Sequence, residues 1–477
     1  MPVRELKGFI KPGLSESEAE ALYKLGKEAV VWAILEMSAR WKTDVEGNPE
    51  KTSNDAPGPN TPSGQIPVYK KPNTSSRGRK KPGRKKGHPG ARRKEPERID
   101  EEKTHALDIC PCCGEPLCEA FDQRTRITED IPEVKPTITK HIIKRYRCPK
   151  CKKVSDAPVV DALPKAKIGN NILALTAWMH YGLGTTINQI VNVLNVHLHF
   201  KLTPGGLVNM WRRLAEILDA WYEEICAEAK DSSTLHADET GWRVNGKTHW
   251  LWCFTNSNLT CYIIDSSRGS PALLKFLGET FDGTLVTDFW AAYNAIACDT
   301  RQYCLAHLFR EIEKVGERND STQWDHFRKK LMRILRDALR LNDVRDITDA
   351  ARASRRMRLT NRLAKLCATN WSDHDAERLA KRLDKYADGI FTFLDYDDVP
   401  HTNNHAEREI RPAVIMRKVL QQNRSDKGAH TQAVLMSIYR TLKMRGLDPV
   451  KTIIANMEEY LLTGQLPPLP ENDGSVS

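Results

Sequence analysis

Thr234-Leu-His-Ala-Asp-Glu-Thr-Gly-Trp-Arg-Val244 is the stretch of the chain that decides its fold. It is followed by Asn245-Gly246 and a second β-rich run, Thr248–Asn256. Asn-Gly between two such runs is typical of a tight β-hairpin turn. Together with helical segments between the later runs, this order predicts an α/β fold, a mixed sheet with helices on its faces. The later β-rich runs are Thr260–Asp265, Gly283–Asp288 and Gln302–Leu305.

Asp238 and Asp288 lie in two of these runs, each in an apolar setting. In the first run, period-two alternation places Leu235, Ala237 and Glu239 on one face, so Asp238 is expected to point away from the apolar side. Asp288 closes the fourth run, at the strand end where α/β sheets present functional groups. Carboxylates from neighbouring strands can hold two Mg²⁺ ions for phosphoryl transfer. The ordinary alternative is that an aspartate at a strand end caps a helix.

A third acid, Glu407, lies far downstream in the helical run Asn403-Asn404-His-Ala-Glu407-Arg408-Glu-Ile-Arg411. Two sheet carboxylates and one helix carboxylate on a shared pair of metal ions suggest chemistry on nucleic acid. Asn404 with Glu407 also fits a capping box with no catalytic role.

Basic side chains accompany the acids at helical spacing. His307 and Arg310 lie one turn apart after the last β-rich run, and Arg408 and Arg411 lie beside Glu407. Positive groups next to carboxylates suit a site that holds both metal and phosphate. The alternative for Arg408 and Arg411 is surface ion pairing with Glu409 and its neighbours.

Two C-x-x-C pairs, Cys110-Pro-Cys-Cys113 and Cys148-Pro-Lys-Cys151, predict a structural zinc site. Strand-like residues, Thr137 to Tyr146, lie between the pairs. Cys112 and Cys118 are spare, and either could replace Cys113 as a ligand. Four thiolates would leave no open coordination position, which excludes a catalytic role for this zinc.

Composition describes a globular protein with a polyanionic partner. The chain has 477 residues, a net charge of +11 and a pI near 9.0. Basic residues crowd between Lys70 and Arg98, which favours binding to DNA, although a solvated charge run is the plain alternative. No apolar h-region marks the start, so we expect a cytoplasmic, nucleoid-associated protein with reduced thiols and no membrane partner. The predicted DNA contacts in this arm are Arg79, Lys80, Lys81, Arg84, Lys85 and Lys86.

Helical patterns occupy most of the rest of the chain. Residues 15–41 predict one helix, for self-association or for docking on its own protein. Thr186–Leu194 and a helix opening at Thr203-Pro204 resemble a helix-turn-helix, with an ordinary helical hairpin as the alternative. Leu207, Trp211, Leu214 and Leu218 form the apolar stripe of the second helix, which leaves Asn209, Arg212 and Arg213 outward. A charged helical block fills residues 311–395, and further helices run from Asn404 with breaks at Gly428 and Gly446.

Taken in order, these motifs resemble the insertion sequence 66 transposase family. The resemblance rests on the Asn403–Pro412 run, His236-Ala-Asp238-Glu-Thr-Gly-Trp, Asp288-Phe-Trp-Ala-Ala-Tyr, Cys304-Leu-Ala-His307-Leu-Phe-Arg310 and the Cys pairs. It covers about residues 60–462. It implies a ribonuclease H-like core with a DDE triad at Asp238, Asp288 and Glu407, interrupted by a helical insertion.

The resemblance implies a DNA transposase that cleaves element ends and transfers strands into target DNA, with Mg²⁺ or Mn²⁺ at the triad. Its partners would be double-stranded DNA, further copies in a homodimer or higher oligomer, and accessory proteins. The alternatives are a retired transposase that regulates through DNA binding, and a structure-specific nuclease. The chain is expected to divide into eight regions. The first four are an N-terminal helix (1–45), a linker with the basic arm (46–104), a zinc-binding domain (105–165) and a helix-turn-helix-like region (166–230). The last four are the first part of the ribonuclease H-like core (231–310), a helical insertion (311–398), the last part of the core with C-terminal helices (399–462) and a tail (463–477).

Overall fold

A computed structural model describes Lys24 and residues 95–471, except Phe121, Arg345 and Gln421. The basic arm up to residue 94, with its six predicted DNA contacts, therefore lies outside the described residues, as do residues 472–477 of the expected tail. Of the expected N-terminal helix only Lys24 is described, and it is helical. Among the described helices, none is both long and apolar enough to cross a membrane.

Residues 95–165 carry little regular structure. An antiparallel pair of short strands, β1 (Arg145–Arg147) and β2 (Val154–Asp156), flanks the second Cys pair. The run expected to be strand-like from Thr137 forms a strand only at its end. Apolar side chains here are exposed, including Ile131 at 80% and Ile138 at 94%. This region buries too little apolar surface to be stabilised by a core of its own.

Five strands form the central sheet, in the order β5-β4-β3-β6-β7. The pairs β3–β4 and β4–β5 are antiparallel, whereas β6 runs parallel to β3 and β7 runs parallel to β6. The mixed α/β prediction is confirmed. The strands are β3 (Thr234–Val244), β4 (Lys247–Thr255), β5 (Thr260–Asp265), β6 (Thr280–Thr287) and β7 (Ala297–Tyr303).

The hairpin predicted at Asn245-Gly246 is present, with φ of 49° and 73° at the two turn residues. Positive φ at both positions is what this turn requires, and Asn and Gly tolerate it. The strand expected at Gln302–Leu305 was placed too late, because β7 begins at Ala297 and Leu305 already starts a helix. β7 is an edge strand, so its polar residues gave no apolar alternation to read.

Eleven α-helices occupy the described residues, numbered in chain order. Gly428 does not break a helix as expected: it lies in the first turn of α10, where its N–H donates to Ser425 Oγ at 3.1 Å. The helices are α1 (Asn170–Ala177), α2 (Ile187–His197), α3 (Pro204–Lys230), α4 (Ser270–Leu277), α5 (Leu305–Gly316), α6 (Thr322–Asn342), α7 (Asp349–Cys367), α8 (His374–Lys385), α9 (Asn404–Val419), α10 (Asp426–Met444) and α11 (Pro449–Thr463).

Two buried clusters divide the described molecule. The first joins the sheet to α3, α4, α9, α10 and α11, and it includes Trp211, Trp252 and Tyr439. The second joins Val286 and Tyr303 of β6 and β7 to α5–α8. Leu285 and Val286 are neighbours in β6 yet belong to different clusters, because successive strand residues face opposite sides of a sheet. The helical block thus packs on the sheet beside β6, the strand that Asp288 follows.

Candidate active site

Asp238 lies in the middle of β3, the central strand. Its side chain is half-buried, and its Oδ1 accepts the N–H of Glu239 at 2.9 Å. Burial raises the pKa of Asp238 well above its usual range, and the negative charges of Glu239, Asp288 and Glu407 raise it further. The three acids picked out in the sequence therefore act on one another electrostatically.

Asp288 follows directly on β6, which lies next to β3 in the sheet. Its Oδ1 accepts the N–H of Trp290 at 2.8 Å, a local turn that fixes the carboxylate. Burial and the charge of Glu239 raise the pKa of Asp288 to about 7, although Arg268 nearby opposes the rise. A carboxyl group poised near neutrality in a cluster of acids is typical of a functional site.

Glu407 lies in the first turns of α9, and the capping-box alternative for it does not hold. The N-cap residue is Asn403, with no side-chain cap hydrogen bond. The Glu407 carboxylate instead faces α5: its Oε1 lies 2.8 Å from Nη2 of Arg310 and 3.5 Å from Nδ1 of His307. The negative charge of Glu407 also raises the pKa of Asp288.

The buried side chain of Asn403 links the start of α9 to β3 through hydrogen bonds. It is 1% exposed, its amide donates to Ala237 O at 2.8 Å, and its Oδ1 lies 3.0 Å from Nδ1 of His236. Its own N–H lies 3.1 Å from Cys304 Sγ at the start of α5. One buried side chain thus sets the position of Glu407 relative to Asp238, the strand residue beside Ala237.

A buried ion pair that sequence reasoning missed lies beside the aspartates. Glu239 accepts from Nη2 of Arg268 at 3.0 Å and from the hydroxyl of Tyr293 at 2.7 Å. The Arg268 guanidinium is also stacked between two indoles, 4.2 Å from the ring centre of Trp290 and 4.7 Å from that of Trp250. The period-two alternation of β3 predicts Glu239 on the apolar face. The only sign of its ion pair in the sequence is an acidic residue within a strand that is buried on both sides.

A second cluster contains the third acid. Ligand atoms of Cys304, His307 and Glu407 lie within 4.8 Å of one another. Burial, with the charges of Arg310 and Lys314, lowers the pKa of His307 to about 4, so its ring is neutral near pH 7. In the described part of the chain, the carboxylates of the proposed triad do not form such a 4.8 Å group.

The other basic side chains expected to contact DNA differ in whether they already pair with an acid, as Arg310 does with Glu407. Arg408 and Arg411 are exposed, and neither makes an ion pair with another described residue. Their alternative partner, Glu409, is buried and instead accepts from Nε of Arg440 at 3.0 Å. The two arginines thus extend from α9 beside Glu407 as available positive charges.

The two Cys pairs form matching backbone turns. Gly114 N–H donates to Cys110 O at 2.9 Å, and Lys152 N–H donates to Cys148 O at 3.0 Å, with φ near +77° and +60° at the donor residues. Backbone N–H groups of the following residues point at the first thiol of each pair and lower the pKa of Cys110 and Cys148. This environment suits a thiolate ligand. In the described residues the four thiols do not gather within 4.8 Å of one another.

The helix-turn-helix-like region has the predicted start signals. Thr186 makes a full capping box with Gln189 at the start of α2, and Thr203 caps α3 through the N–H of Gly206. Arg212 is exposed as expected, but Arg213 is tied to the carbonyl of Pro164 at 2.7 Å. The predicted apolar stripe is buried, and the buried side continues along the whole of α3 while the opposite side stays exposed from its first turns to Lys230.

Two family models match the chain. The one described as "Transposase IS66 family" matches residues 165–431, more than half of the chain, and therefore includes the strands, Asp238, Asp288 and Glu407. The one described as "zinc-finger binding domain of transposase IS66" matches residues 108–152, which include both Cys pairs. The chain belongs to the IS66 family of transposases.

Similar curated proteins come from Sinorhizobium fredii. The uncharacterized proteins y4hP and y4jD are 22% and 23% identical over 401 residues each, which is 74% of this chain and 71% and 75% of theirs. The uncharacterized protein y4qI is 24% identical over 270 residues, 47% of each chain. The names of these three proteins state no activity.

Proposed function

We propose that this protein is a DDE transposase with a ribonuclease H-like core, in which Asp238, Asp288 and Glu407 cleave element ends and join them to target DNA. The observation that carries the proposal is the mutual effect of these acids. Burial raises the pKa of each aspartate, and the charge of Glu407 raises both, while the charge of Asp288 also raises that of Asp238, although the three lie far apart in sequence. Family membership and the order of parallel and antiparallel strands support the same reading.

The donor set fits divalent metal ions. Asp238, Asp288 and Glu407 offer only carboxylate oxygens, and Mg²⁺ and Mn²⁺ favour such ligands. Burial and, second to it, neighbouring acids raise the pKa values of the two aspartates, and a divalent cation would favour their charged forms. When bound, such ions would supply charge stabilisation for the attacking and leaving oxygens of the phosphodiester.

The chain's own groups would orient the reaction. Water attacks the phosphodiester first and releases a 3′-hydroxyl, which then attacks target DNA in line. Glu407 would complete the site and help to deprotonate the attacking oxygen. Arg310, already 2.8 Å from Glu407, can contact the phosphate, and His307 contributes as a neutral hydrogen-bonding group.

Regions of the chain other than the three acids would bind the DNA. We propose that Cys110, Cys113, Cys148 and Cys151 hold a structural Zn²⁺, and that zinc draws the two turns together. The basic arm, the zinc region and the first turns of α3 would bind terminal repeats, with Arg408 and Arg411 near the cleavage point. The active form would be a homodimer or higher oligomer on DNA.

The test is an incubation of the full chain with duplex element ends and Mg²⁺ or Mn²⁺. We expect cleaved and joined products from the wild type and neither product from Asp288→Asn. Cleavage without joining would favour a nuclease, and end-specific binding without cleavage would favour a regulator. If Glu407→Gln leaves both steps intact, the triad is wrong.

A further inference from the structure

The helical block between Asp288 and Glu407 carries a cationic groove that the proposed reaction does not use. One side of α6 is buried in the second cluster through Trp324, Phe327 and Leu331. The opposite side lines a groove of about 530 Å³. Its cationic side chains are Arg328, Lys329, Arg333, Arg336 and Arg340.

Acids neutralise only part of this charge. Asp325 lies 2.9 Å from Arg328 and 2.6 Å from Lys329. Asp337 is shared between Arg340 at 3.5 Å and Arg362 of α7 at 2.8 Å.

Arg333 and Arg336 are exposed, and neither is paired with an acid among the described residues. They lie three residues apart, so they are neighbours on the helix surface. The groove therefore keeps a positive excess, with two guanidinium groups free to bind.

We propose that this α6 groove binds the phosphate backbone of the duplex whose end enters the active site; this rests on the proposed function. Arg328 and Arg340 are twelve residues apart, about 18 Å along a helix. Duplex DNA carries about one negative charge per 1.7 Å of its axis, so several phosphates lie within that span. Guanidinium groups suit phosphates because they can donate two parallel hydrogen bonds.

The groove begins near the end of α5, the helix that carries Arg310. A Cβ atom added at Gly316, the last residue of α5, would lie 3.5 Å from Cδ of Arg328. Arg310 lies six residues earlier on α5, about 9 Å along the helix axis. A duplex that is held near Glu407 by Arg310 can therefore continue over α6.

The lining favours nucleic acid over a protein partner. Met332 is the one apolar side chain among those that line the groove. Protein interfaces have an apolar core, which this surface does not offer, whereas DNA interfaces are polar and strongly positive.

The test compares two double variants by fluorescence anisotropy on a labelled duplex that carries an element end. Arg333→Gln with Arg336→Gln is expected to weaken binding and to reduce the slope of log K against log salt by about 2. Arg355→Gln with Arg358→Gln is the matched control, since these arginines are also exposed and three residues apart, on α7. Arg333→Lys with Arg336→Lys should keep most of the slope, because both positive charges remain.

Each outcome decides the proposal. An unchanged slope in the α6 variant, or an equal loss in the α7 control, would overturn it. Cleavage is measured on the same samples. If the wild-type protein never cleaves DNA, but its salt slope depends on Arg333 and Arg336, the proposed function is overturned and DNA binding by the α6 groove is supported. Normal cleavage together with an unchanged slope would support the proposed function and overturn DNA binding by the α6 groove.

Discussion

Nη2 of Arg310 lies 2.8 Å from Oε1 of Glu407, so a cation from α5 neutralises the one acid of the proposed triad that comes from a helix. A divalent ion at Glu407 must compete with this guanidinium. The contact is half-exposed, and such pairs contribute roughly 0.2–1 kcal/mol.

Arg310→Gln is therefore expected to tighten Mg²⁺ binding, with a half-saturating concentration about 1.4–5-fold lower. Cleavage should nevertheless slow, because the phosphate loses a contact. Titration of Mg²⁺ in a cleavage assay measures both effects. Arg318→Gln is the control, since Arg318 pairs with Asp375 instead. Unchanged Mg²⁺ dependence would show that the pair does not oppose metal binding.

The pKa of about 7 at Asp288 predicts how pH acts on the metal-free protein. The ordinary value is 3.8, so between these values the folded state holds a proton that the unfolded state releases. Asp288 therefore lowers stability as pH rises through this range. Asp288→Asn should raise the Tm in EDTA by ~2 °C or more near pH 8, and less near pH 5.

Asp282→Asn on the same sheet is the control for that comparison, because Asp282 is exposed. Mg²⁺ should stabilise the wild type more near pH 8 than near pH 5. Equal gains at both pH values would contradict the assignment of Asp288 as a metal ligand.

Removing the negative charge of Glu239 should shift the pH range over which Asp288 affects stability. Glu239 raises the pKa of both Asp238 and Asp288, and it offsets the charge of Arg268. Glu239→Gln is expected to move the pH midpoint of metal-induced stabilisation to lower pH. The exposed Glu279→Gln serves as the control. A midpoint that stays in place would mean that Glu239 acts only in packing.

Asn403→Ala should damage both stability and catalysis. It leaves the Ala237 carbonyl and the His236 ring without their partner in a buried setting, at a cost of about 1–3 kcal/mol. Chemical denaturation measures the stability, and cleavage by the residual folded protein measures the alignment of Glu407. Asn404→Ala, at the exposed neighbouring position, should change neither. Similar losses in both variants would argue against the proposed fastening role.

Zinc content tests the Cys pairs directly. Cys110→Ser and Cys148→Ser should each lose the metal, because each removes a thiol whose pKa the backbone already lowers. Cys118→Ser should retain it. Zinc measured by elemental analysis of purified full chains decides between these ligands, and loss of zinc in Cys118→Ser would change the ligand set.

Local signals explain what could be predicted from the sequence. The bounds of β3 and β5 were predicted residue for residue, because alternation and the Asn245-Gly246 turn are local features. The partners of Glu239 could not be predicted, since Arg268 and Tyr293 are brought to it only by the folding of the sheet. The role of Asn403 was hidden for the same reason: its contacts lie on β3 and α5.

The fastening of α9 also governs when the site can exist during synthesis. Asp238 and Asp288 emerge from the ribosome more than a hundred residues before Glu407, a delay of roughly 10 s at ~5–20 residues per second. α9 in turn is held by Arg440 of α10 through the buried Glu409. A nascent or prematurely terminated chain that ends before α9 therefore has its strands and two aspartates but lacks the third acid, so DNA-cutting capacity would arise only after α9 and α10 have been synthesised.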